Sequence, residues 1–232
     1  MINVRRYNPI LKQKLSLLIH ANDPTDLLKF LYSLNVGDFR SACYILSEDL
    51  LHTVDSDQYW AFFNKIVPSN SKAFLGTFLK SAVYLKKKER LAISIENITD
   101  FLSYATPIDK KKFLEALLPC INSIDELENI IYNIFNKDVE QAVPYLINSG
   151  TTASYFILFR ILKTLDWNET QLRSCVISLM KCNRSYAFNM SSILIQYFDL
   201  KSVPGCFSLH IEPYELSCLD QNFESFSKIL KK

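Results

Sequence analysis

Residues 138–182 read DVEQAVPYLINSGTTASYFILFRILKTLDWNETQLRSCVISLMKC, and the spacing of their apolar residues decides the fold. Val139, Ala142, Val143, Leu146 and Ile147 share one helical stripe behind an Asp138–Gln141 capping pair. Asn148-Ser149-Gly150 stops that helix. Tyr155, Phe156, Ile157, Leu158, Phe159, Ile161 and Leu162 then make a segment apolar nearly all round. Asp166-Trp167-Asn168-Glu169 breaks the pattern, and Leu172, Cys175, Val176, Leu179 and Met180 resume it. The stretch predicts three consecutive helices. A helix apolar on every side is buried on every side, so the 152–165 helix is expected at the centre with its neighbours packed around it.

Composition extends this reading outward. The 232 residues include only four glycines, against an average usage of about 7%. Sheet proteins need glycine-bearing turns, and mononucleotide folds need glycine-rich phosphate loops. Both are disfavoured, and an all-α chain is the expectation. The 49% hydrophobic content supports a substantial core.

Helix starts recur about every 15 residues, the length of a three- or four-turn helix and a short loop. Asp23-Pro24 and Thr106-Pro107 pair a cap with proline at the first helical position. Asp55–Gln58 and Ser123–Glu126 have capping-box spacing. Gly37 reads as the left-handed end of a helix, with Asp38 starting the next. Leu91, Ile93 and Ile95 alternate as a strand would, and a final helix is expected over 214–230. The array predicted is antiparallel helical hairpins stacked in an α-solenoid-like manner, about twelve helices in all. It divides into an N-terminal unit, 1–105, and a C-terminal unit, 106–232, or runs as one continuous domain.

A longer pattern suggests two tandem copies of one unit. Leu91–Glu96 resembles Phe207–Glu212, Ile45-Leu46 matches Ile161-Leu162, and Asp23 to Gly37 matches Asp138 to Gly150, in order and at nearly one offset. The rival reading is that amphipathic helices align by accident.

For function the sequence is sparse. The formal charge is +2, too small to single out nucleic acid. His20, His52 and His210 lie far apart, outside any zinc-helix motif, and a Cys182–Cys206–His210–Cys218 zinc site fits no ordinary finger. The six cysteines read as reduced thiols. No nucleophile elbow, phosphate loop or kinase signature occurs, so no catalytic residue, metal or cofactor is assigned. The densest basic runs are Lys86, Lys87, Lys88 and Arg90, and Lys110, Lys111 and Lys112. They read either as solvated helix ends or as one interaction patch. Arg5 and Arg6 open a basic, frayed end, and Trp60 and Trp167 read as buried anchors.

The longest apolar runs, such as Tyr155–Phe159, fall well short of the ~18 residues that span a bilayer, and no basic-apolar-cleavage leader precedes them. A cytoplasmic, soluble protein is expected. The leading function is a non-enzymatic scaffold or adaptor binding a protein or peptide in a helical groove. The rivals are nucleic-acid binding through the Lys86–Lys112 region and an enzyme with an unmarked pocket between the two halves.

Overall fold

The computed structural model describes residues 8–105, 107–135, 138–184, 186–200, 203, 209–219 and 221–232. Among them the chain is all-helical, with no strand. By its contacts it divides into two compact units, 1–113 and 114–232.

The first unit holds α1 (Pro9–His20), α2 (Pro24–Ser33), α3 (Val36–Glu48), α4 (Ser56–Ile66), α5 (Ser71–Lys87), α6 (Ile95–Ser103) and the start of α7 (Pro107–Leu117). Side-chain caps set most starts. Asp23 accepts from the amides of Thr25 and Asp26, and Asp55 and Gln58 close a reciprocal capping box. Helix α1 packs on α2 and α3, α2 on α4, and α3 on α5. A ladder of rings runs through the core: Phe63 stacks on Phe101 at 5.4 Å, and Phe101 on Phe113 at 4.1 Å.

The second unit holds α8 (Ile124–Phe135), α9 (Val143–Ser149), α10 (Thr152–Thr164), α11 (Glu169–Lys181), α12 (Ala187–Tyr197), α13 (Pro213–Cys218) and α14 (Phe223–Leu230). Helix α10 packs against α8, α9 and α14. Its Tyr155, Leu158, Phe159 and Ile161 are fully enclosed, while Arg160 faces outward and pairs with Glu128 at 3.0 Å. The all-round apolar segment is therefore the centre of its unit. Phe156 and Phe159 meet Phe226 of α14 at 5.2 and 5.7 Å.

Several local expectations are corrected. Gly37 does not end α2. That helix stops at Ser33, and Asn35 caps α3 by accepting from the amides of Gly37 and Asp38, which puts Gly37 in the first turn of α3. Gly150 does end α9 in the left-handed region, at φ 68°. The 139–147 stripe is split: residues 139–142 form a 3₁₀ turn without a side-chain cap, and α9 begins after it with Pro144 near its start. The expected last helix is two, α13 and α14, because Asn222 caps a fresh start. Fourteen α-helices are thus present among the described residues, against about twelve expected.

Leu91–Ile93 is no strand. Leu91 is buried, and the Ala92 carbonyl accepts from Trp60 Nε1 at 2.9 Å and Ser56 Oγ at 3.3 Å. The Ala92 amide donates back to Ser56 Oγ at 3.1 Å. Residues 209–211 dock similarly: the Leu209 amide donates to Ser192 Oγ at 3.3 Å and the Ile211 amide to Gln196 Oε1 at 3.1 Å. In each case two side chains four apart on one helix satisfy an extended backbone that has no sheet partner. The helices differ in position, however. Residue 92 docks on α4, two helices back, and 209–211 on α12, the helix immediately before. Arg5, Arg6, Thr106, Cys206, Phe207 and Ser208, all used in the sequence reading, lie outside the described residues.

Candidate functional site

A concavity lies wholly in the second unit. It is a groove of about 500 Å³ between the 139–149 segment and α11. One wall presents Glu140, Val143, Pro144, Ile147 and Asn148, at helical spacings of three and four. The other presents Gln171, Ser174, Cys175 and Ser178 at the same spacing, and Trp167 completes the lining. Val143, Ile147 and Cys175 are buried, whereas Glu140, Pro144, Asn148, Gln171, Ser174 and Ser178 are exposed. The result is an apolar base inside a polar rim.

Two local devices hold this shape. Asn168 and Gln171 form a capping box that fixes where α11 begins, with the Gln171 amide donating to Asn168 Oδ1 at 3.0 Å. Ser178 Oγ donates to the Ser174 carbonyl at 2.9 Å, which draws that hydroxyl onto its own helix. Trp167, half-buried, has an enclosed Nε1 with no hydrogen-bond partner among the described residues. Burial pushes the Cys175 thiol up to about 12.

No family model matches the chain. Comparison with curated proteins and with solved structures finds no match either.

The basic residues singled out from sequence occupy the first unit. Lys86 and Lys87 end α5, Lys88 caps it, and Lys110, Lys111 and Lys112 are exposed on α7. Arg90 is engaged structurally: its guanidinium donates to the carbonyls of His52, Thr53 and Val54 at 2.8–3.3 Å, closing the end of the 50–52 3₁₀ turn. Trp60 is the buried anchor expected of it, whereas Trp167 is a groove wall.

Elsewhere, His20 bonds the Ser16 carbonyl at 2.7 Å, and His210 lies 3.0 Å from Glu212. Cys43, Cys175, Cys182 and Cys218 are free thiols, and the Cys120 thiol donates to the Ala116 carbonyl at 3.4 Å. Among the described residues no three potential metal ligands converge, and no helix is long and apolar enough to cross a membrane.

Sequence reasoning missed the groove because it tracked the core stripes. The groove takes Val143, Ile147 and Cys175 from those stripes and its rim from the residues beside them. The one signal was Gln171, Ser174 and Ser178, an uncharged polar row on an otherwise ordinary amphipathic helix.

Proposed function

We propose that this chain is a non-enzymatic protein-interaction module whose groove between α9 and α11 receives a segment of a protein partner. The observation that carries this reading is the groove itself: a concave apolar base of Val143, Ile147 and Cys175 beside Trp167, with Glu140, Asn148, Gln171, Ser174 and Ser178 exposed along its rim. Its volume falls in the ~300–1,000 Å³ range of ligand pockets. Tryptophan beside an apolar pocket is also the residue type that dominates binding hot spots.

The scaffold is read as an α-solenoid-like stack of hairpins. The support is that helices pair with the next and the next but one: α1 with α2 and α3, α2 with α4, α3 with α5. Two tandem copies of one unit remain part of this proposal, although the docked segments at 92 and 209–211 sit on helices of different order.

The test places the photo-crosslinking residue p-benzoylphenylalanine at Ser178 on the groove rim, or at Lys65 on α4, in the native cell. A discrete protein adduct from position 178, absent from 65 and lost on adding Ile147→Lys, is the expected result. Equal labelling at both positions, no adduct at 178, or a nucleic-acid adduct would refute the reading.

A further inference from the structure

The segments that build the groove carry an uneven charge. Residues 138–149 contain Asp138 and Glu140 and no basic residue. Residues 166–181, to the end of α11, contain Asp166, Glu169, Arg173 and Lys181. Arg173 is committed to Glu169, with Nη2 at 2.8 Å and Nε at 3.1 Å from the same oxygen. Four acids against two bases is a local acidic excess, because the whole chain has a formal charge of +2. Glu140 is the charged residue of the groove lining itself, and its side chain is exposed.

From this complementarity we infer that the groove's occupant is a basic peptide segment, with an apolar anchor seated on Val143, Ile147 and Trp167 and a lysine or arginine facing Glu140. The inference rests on the groove being a protein-binding site. Size narrows it further. Two turns of helix with side chains occupy roughly 1,000 Å³, about twice the groove, so only the anchoring side chains enter. The rest of the segment lies along the rim, where Asn148, Gln171 and Ser174 are exposed. Charge at such a rim works mainly through attraction and specificity, and it is screened by salt.

The test is selection of a random dodecapeptide phage library on the full chain, followed by affinity measurement of the enriched peptides. Three variants are compared: Glu140→Gln, Glu140→Lys, and Ser174→Trp, which fills the groove from an exposed position. Circular dichroism confirms that each is folded. The expected peptides carry leucine, isoleucine or phenylalanine with lysine or arginine nearby, and lose binding to Ser174→Trp. Glu140→Lys should weaken them about fivefold at low salt, with a smaller loss for Glu140→Gln. Both losses should fade at 1 M salt, where the Debye length is about 3 Å. Peptides blocked by Ser174→Trp but without basic residues, and indifferent to Glu140→Lys, would overturn this inference and leave the groove reading standing. Peptides indifferent to Ser174→Trp, or no enrichment at all, would overturn both.

Discussion

The indole Nε1–H of Trp60 donates to the carbonyl of Ala92 at 2.9 Å, joining α4 to the connection before α6 across 32 residues of chain. Tyr59 and Phe63 pack edge-on around the Trp60 ring at 5.1 and 5.4 Å, so the ring is held by packing as well. Trp60→Phe keeps most of the packing and removes the donor. It should cost about 1–2 kcal/mol, read as a lower urea midpoint at unchanged slope. An unchanged midpoint would show that Ser56 alone satisfies Ala92.

Helix α10 supplies a sharper contrast. Phe156→Ala and Phe159→Ala empty enclosed space beside Phe226, and each should cost about 3–5 kcal/mol. Arg160→Ala removes an exposed pair with Glu128 and should cost under about 1 kcal/mol. Equal losses at all three positions, measured by urea unfolding, would contradict the burial pattern.

Gly150 and Gly76 should respond oppositely to alanine. At Gly150 the backbone is left-handed, and a Cβ would stand 2.6 Å from Arg184 Cβ. Gly150→Ala therefore combines backbone strain of about 1–2 kcal/mol with a clash, and is destabilising. Gly76 lies inside α5 with nothing within 4 Å of an added Cβ. Gly76→Ala should stabilise by about 0.5–1 kcal/mol. Thermal unfolding of the two variants checks both signs.

His52 lies flat on Tyr84, with ring centroids 3.7 Å apart, and its Nε2 is enclosed without a partner. Burial lowers its pKa, Asp49 and a backbone hydrogen bond to Ser47 oppose that, and the Arg90 guanidinium reinforces it. Between the lowered folded value and the ordinary unfolded value near 6.5, the unfolded chain binds more protons. Stability is therefore full above about pH 6.5 and falls as the pH drops below it. His52→Gln should flatten this dependence between pH 7.5 and 5.5, with the urea midpoint as readout. The lowered Glu215 and Glu224 carboxyls act only in the more acidic range, below their ordinary value of 4.5. An unchanged slope in the variant would assign the pH dependence to other groups.

The amino-acid sequence by itself determined where most helices start and which helix is buried all round. Caps such as Asp23, Asp55–Gln58 and Asn168–Gln171 act within four residues, so their chemistry is complete in the local sequence. The same holds for α10, whose apolar circumference admits only an interior position. Tertiary structure decided what depends on distant partners. The alternation at Leu91–Ile95 is a strand pattern in sequence, yet its backbone finds Ser56 and Trp60 instead of a neighbouring strand. Gly37 could have ended α2, but Asn35 captured the amides of Gly37 and Asp38 for α3. Arg90 belonged to a basic run until the carbonyls of residues 52–54 came within reach. The groove is of the same kind: Glu140 and Ser174 are unremarkable on their own helices. Only tertiary packing, of α9 on α10 and of α11 on α12, brings Val143, Ile147 and Cys175 from their core stripes, and the residues beside them, around a common space.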